Sequence, residues 1–307
     1  MAAAGQTREV LERRIDLSAP LDLRLTLGPL QRGKYDPCTR VSQSGVWRAT
    51  RTPAGAATMH VEPDGSGVTF CAWGPGAEWA VERAPDLLGA ADNPADFAPS
   101  HPLVRDLHRR LRGLRLPRTG AVMEALVPSI LEQKVTGIEA RRSFTRIVRR
   151  YGEPAPGPFP LHLPPAPERL AALPYWAFHP LGVEQRRADT IRRACARASR
   201  LERAADLEPA AARALLMSMP GIGPWTAAEV GLAALGHADA VSVGDYHLPH
   251  QVAWVLAGER RGSDERMLEL LEPFAGHRGR VTRLIAVGAP MPSRRAPRAQ
   301  LRSIADI

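Results

Sequence analysis

The sequence predicts an α+β protein: an N-terminal antiparallel β domain over residues 1–98, an all-helical domain over 99–292 built around a helix-hairpin-helix element, and a basic tail at 293–307. Three observations carry this. Short β-rich runs parted by turn residues crowd the first hundred positions, helical periodicity dominates the rest, and a Pro-Gly-Ile-Gly turn joins two helical runs. With 44% apolar content, 307 residues suffice for one large or two modest cores.

In the β part, Ile15, Leu17, Leu21, Leu23, Leu25 and Leu27 alternate with Asp16, Asp22, Arg24 and Thr26, the period of a half-buried strand. Further β-rich runs cover 46–50, 57–61 and 68–73, with Pro63-Asp64-Gly65-Ser66-Gly67 as a hairpin turn. A stretch rich in Pro, Asp and Ala at 84–102 marks the boundary.

Helices follow. Thr119 is placed to cap one running through Val122, Leu126, Val127, Ile130 and Leu131. In the next, Ile138, Phe144, Ile147, Val148 and Tyr151 form the buried stripe and leave Arg141, Arg142, Arg146, Arg149 and Arg150 for other faces, as a rim. The proline-heavy segment 154–167 reads as a surface loop and 183–200 as a basic amphipathic helix. Pro209 opens a helix over 207–218, and Pro224 opens another through Trp225, Val230, Leu232 and Leu235 until Gly236 stops it.

Charge is concentrated. The net value is +9, yet residues 101–150 hold twelve basic against four acidic side chains, while 1–100 hold ten against twelve. A local basic surface beside a glycine turn suits a polyanion, because neutralised phosphates release counterions. Cys38, Cys71 and Cys195 are few and widely spaced, which speaks against a disulfide framework and against a metal site. No apolar run approaches a membrane span and the N-terminus lacks the apolar core of a signal peptide, so a cytoplasmic, nucleoid-associated protein of bacterial type is expected, acting as a monomer.

The glycine turn Met219-Pro220-Gly221-Ile222-Gly223-Pro224-Trp225-Thr226 is followed by Asp245 in Val243-Gly244-Asp245-Tyr246. Glycines here let bare backbone N–H groups approach a phosphate. With the block Ile130-Leu131-Glu132-Gln133-Lys134 upstream, the chain resembles the helix-hairpin-helix DNA glycosylase superfamily, and within it the DNA-3-methyladenine glycosylase II family, over roughly 100–288.

That resemblance implies Asp245 as the catalytic carboxylate. It implies Gly221, Ile222, Gly223, Thr226, Gln133 and Lys134 at the DNA, Lys134 being where the family inserts a wedge, and Trp225, Tyr246 and Trp176 around the base pocket. Double-stranded DNA containing a damaged base is the implied partner. No cofactor and no metal is implied, since no cysteine follows Cys195 to hold an iron–sulfur cluster. Relatives that cut the strand place a lysine where Trp225 stands, so a monofunctional enzyme acting on an alkylated purine is expected. The residues alone leave alternatives. Asp245 is also placed to cap the helix from Tyr246 to Leu256, Trp225 is equally suited to a core, Trp176 belongs with Tyr175, Phe178 and His179 to an aromatic cluster that suits core packing against the 183–200 helix, and the scaffold also fits a non-catalytic lesion binder or an oxidised-base glycosylase with lyase activity.

Overall fold

The computed structural model describes residues 10–17 and 19–290; the expected basic tail at 293–307 and the first nine residues lie outside them. Strands β1 (Leu11–Asp16), β2 (Thr39–Val41), β3 (Val46–Thr52), β4 (Gly55–Asp64) and β5 (Gly67–Trp73) form one antiparallel sheet in the order β1-β5-β4-β3-β2. The 63–67 turn joins β4 to β5, where Asp64 pairs with Gly67.

One expectation fails early. The alternating stretch 15–27 is a strand only as far as Asp16, and Leu23–Leu27 is a helix, α1. Pro20 intervenes, and the Asp22 carboxylate accepts the N–H groups of Arg24 (2.9 Å) and Leu25 (3.0 Å), which is what an N-cap does. Leucines at 23 and 27 are two strand periods apart, but they are also one helical turn apart, and both are buried.

One face of the sheet packs Val46, Met59, Val61 and Phe70 on α1 and on α2 (Ala77–Glu82). On the other, Trp47 stacks on His60 (4.0 Å between centroids) and on Phe159 (4.9 Å). Phe159 belongs to the proline-rich segment, which is therefore more than a loop: its strands Glu153–Pro154 and His162–Leu163 pair and lay it over the sheet.

The helical part has two cores. One gathers α3 (Pro102–Arg110) with the C-terminal elements; the other centres on α4 (Val122–Leu131), α5 (Gly137–Tyr151) and α6 (Gln185–Cys195), the last ending short of the helix expected to Arg200. Thr119 does not cap α4. Glu202 does so from a distance, its carboxylate taking the N–H groups of Val122 and Met123 at 2.9 Å each. Sheet and helices are keyed together by Glu124 of α4, which accepts from Arg48 Nη2 (2.7 Å), Thr50 Oγ1 (2.8 Å) and the Arg51 N–H (2.8 Å).

Candidate functional site

The glycine turn connects α7 (Pro209–Met217) to α8 (Pro224–Val230), which continues as a wider π turn, Gly231–Leu235, until left-handed Gly236 (φ +67°) ends it. Gly221 adopts φ +94°, closed to most side chains. A Cβ there would also lie 2.5 Å from Thr190 Oγ1 of α6, whereas one on Gly223 would meet nothing within 4 Å. Gly221→Ala should therefore destabilise the fold by about 1–2 kcal/mol or more. Gly223→Ala should leave stability near wild type yet weaken duplex binding if phosphates approach at that position; urea melts and anisotropy titrations separate the two.

The helix opening at this turn has unspent donors. Ala227 N is the first to bond inward, to Gly223 O at 3.0 Å, so the first-turn N–H groups of Trp225 and Thr226 are left outside the helical ladder. Their positive dipole end is a ready anion site.

Beside it runs the turn 132–135, held from several sides. Arg187 donates to Leu131 O (2.5 Å), Gln133 Nε2 donates to Gly221 O (3.0 Å) and Thr226 Oγ1 (2.8 Å), and Thr136 with Glu139 forms a capping box that starts α5. Between these anchors Lys134 is exposed and takes φ +57°, the one positive value off glycine among the described residues. Such a conformation costs about 1–3 kcal/mol and persists only where neighbours over-determine it.

Asp245 lies on the loop entering α9 (Leu248–Ala257), half-buried. Its Oδ1 accepts the N–H groups of His247 (2.7 Å) and Leu248 (2.8 Å). Its Oδ2 accepts from Trp225 Nε1 at 3.1 Å. The carboxylate thus caps α9 and is aimed across at α8, both roles at once, with α9 beginning two residues later than expected. Tyr246 next to it is 81% exposed, its ring edge-on to His247 at 4.9 Å.

One turn beyond Trp225, Glu229 faces the same loop and accepts from Ser242 Oγ at 2.5 Å. Burial pushes its pKa above the ordinary 4.5, Arg32 draws it back, and Glu132 and Asp245 push it up. At low pH the carboxyl is protonated whether folded or unfolded. Above pH 4.5 the unfolded chain ionises first, so stability falls as pH rises toward the folded value. The melting temperature of Glu229→Gln relative to wild type is expected to rise from pH 4 to pH 7–8.

No protein-family model matches the chain. It is 30% identical over 149 residues to a probable bifunctional transcriptional activator/DNA repair enzyme AlkA from Mycobacterium tuberculosis, a match covering 48% of this chain and 30% of that protein. In fold it superposes on a 3-methyladenine DNA glycosylase from Archaeoglobus fulgidus with a TM-score of 0.75 at 20% identity, over 89% of this chain and 97% of the other. The chain has the fold of this DNA glycosylase, and it spans about a third of the length of the curated relative it matches. An 8-oxoguanine glycosylase/lyase from Clostridium acetobutylicum shares this fold too, with a TM-score of 0.70 at 13% identity over 90% and 97% of the two chains.

Several of the expected DNA contacts are internal. Ile222 is 5% exposed and its N–H bonds Met219 O (3.0 Å); Thr226 is 2% exposed with its hydroxyl taken by Gln133, whose amide hydrogens are both spent on the glycine turn. These three build the turn, because a backbone set for close approach needs side chains behind it. Trp176 does not join the cluster either: it is 74% exposed on the short helix Tyr175–Phe178, with no ring contact to Trp225 or Tyr246, while its neighbour Phe178 fills the core. Gly221, Gly223, Lys134, Trp225, Asp245 and Tyr246 remain as candidates for the site. Sequence reasoning missed Glu229 and the half-buried Arg283, whose guanidinium interacts electrostatically with Glu229 and Arg32; the Trp225-to-Glu229 spacing of one turn was the available signal. Among the described residues no group of three potential ligands is arranged for a metal ion, and no helix is long and apolar enough to cross a membrane.

Proposed function

We propose that this protein is a monofunctional DNA glycosylase that extrudes a damaged base from double-stranded DNA and hydrolyses its N-glycosidic bond, leaving an abasic site. Similarity to a probable AlkA DNA repair enzyme, together with the fold shared with a 3-methyladenine DNA glycosylase, favours an alkylated purine. The observation that carries the reading is Asp245, a partly exposed carboxylate with one oxygen fixed by two backbone N–H groups and the other turned toward the helix that opens at the glycine turn.

As the base departs, C1′ of the deoxyribose gains positive charge. A preorganised carboxylate stabilises that charge and orients or deprotonates the attacking water. An alkylated purine already bears positive charge, so it leaves without a general acid. The base must first leave the stack, with Lys134 filling the gap and Trp225 and Tyr246 flanking the extruded base. A lyase needs an amine nucleophile, and the aligned position holds Trp225 instead.

The test is free-base release from duplexes carrying alkylated, deaminated or oxidised purines, with borohydride present in parallel. Release without a covalent adduct supports the proposal. A trapped protein–DNA adduct would establish the glycosylase/lyase reading, and salt-sensitive binding with no release from any duplex would establish a non-catalytic lesion binder.

A further inference from the structure

We infer that the β domain itself grips the DNA: the loop 31–36 carries Lys34 and Tyr35 to the strand that passes the Lys134 turn. This rests on the proposed reading of that turn as the DNA face.

The loop leaves the sheet domain and seats on the helical part on both sides of the turn's exit. Arg32 Nη1 lies 3.5 Å from Glu132 Oε1, with 15% and 23% of the two side chains exposed. Gly33, at φ +86°, lies so close to α5 that a Cβ on it would be 2.7 Å from Arg141 Cδ. Farther along, Thr145 Oγ1 donates to Tyr35 O at 3.3 Å. Arg141 in turn reaches the start of α5, where a Cβ on Gly137 would lie 3.3 Å from its Nη2. Asp36 closes the loop from behind, accepting from Arg32 N (2.5 Å) and Cys38 N (2.7 Å). The loop is thus anchored through its buried and backbone groups.

What it leaves outside is different in kind. Tyr35 is 68% exposed, and Lys34 Nζ stands 5.7 Å from its ring centroid, with no carboxylate in ion-pair range among the described residues. A large exposed aromatic beside an unpaired cation is an unusual use of surface, and structural roles for both are already filled by their neighbours. The acids of this region, Asp36, Glu132 and Glu139, are each engaged by backbone N–H groups, a hydroxyl or Arg32, whereas Lys34, Arg40, Arg141 and Lys134 are exposed and all of one sign. The chain has only two lysines among its 41 basic residues, and they stand on either side of this one contact. An ammonium on a flexible stem suits a phosphate, and a phenol ring suits a sugar or base face. Continuity with the Lys134 turn selects duplex DNA over an acidic protein as the occupant.

The test is fluorescence anisotropy of the full chain on a duplex containing a tetrahydrofuran abasic site, titrated at several salt concentrations. The double variant Lys34→Ala/Tyr35→Ala should bind about 10-fold more weakly, with a salt slope smaller by about 1, the signature of one lost phosphate contact. Lys34→Arg should restore the slope. Lys34→Glu alters only a solvated head group and cannot fail by misfolding; it should lose at least as much affinity. Wild-type affinity and slope in the double variant and in Lys34→Glu would overturn the inference while leaving the enzymatic reading intact. Absence of duplex binding by the wild-type protein would overturn both.

Discussion

Asp245→Asn is expected to release damaged base about 10²–10³-fold more slowly than wild type while binding duplex nearly as tightly, the size of effect that removal of one preorganised electrostatic group produces. The substitution is informative because the two oxygens have separate duties. Asparagine caps helices as well as aspartate does, so its amide oxygen can keep the His247 and Leu248 N–H groups and hold α9 in place. What it cannot keep is the negative charge, and its NH₂ then faces the Trp225 indole N–H, donor against donor. Asp245→Ala removes charge and cap together and should lose about 1 kcal/mol of stability besides. A rate loss in the asparagine variant with an unchanged melt therefore separates chemistry from scaffolding.

The largest stability effect is expected far from that carboxylate. Arg280 of α10 (Arg278–Gly288) is buried in a two-pronged pair with Asp92, its Nη1 donating to Asp92 Oδ2 at 3.0 Å, with 2% and 3% of the two side chains exposed. Asp92 Oδ2 also accepts from Leu116 N (2.9 Å), and the Arg280 guanidinium lies 5.9 Å from the Phe97 ring centroid. Asp92→Ala strands an unpaired guanidinium in the core and should cost about 3–5 kcal/mol in urea unfolding. Replacing both partners, as Asp92→Leu with Arg280→Met, should recover much of the loss, because two apolar groups need no charge compensation. Equal losses in the single and double variants would show that the pair matters for shape alone. The pair fastens the segment after α2 to the helix that carries Arg283, one turn from Arg280.

These two cases mark where sequence was informative. The glycine turn, Pro209, Pro224 and Gly236 impose local backbone geometry, so α7, α8 and their junction were readable, as were β3, β4 and β5 from their turns. The capping position of Asp245 was readable because a carboxylate just before a helix is a local signal. Partners distant in the chain were not: Asp92 and Arg280 are 188 positions apart, and nothing in either neighbourhood marks one for the other. The same holds for Glu202 at the start of α4, where Thr119 offered a nearer cap, and for Gln133, whose exposed-looking position gave no hint that the glycine turn would absorb its amide. In 15–27 the pattern was degenerate, satisfying strand and helix together, and the Asp22 cap decided it.

The central claim is that the Asp245 carboxylate stands beside C1′ of an extruded nucleotide and stabilises positive charge there. The most direct measurement compares duplexes carrying a cationic pyrrolidine abasic analogue with duplexes carrying neutral tetrahydrofuran at the same position. Wild type should bind the cation at least about 10²-fold more tightly, as a mimic of the charged sugar, and Asp245→Asn should bind the two alike. Equal affinity of wild type for both, or a preference that survives in Asp245→Asn, would contradict the account.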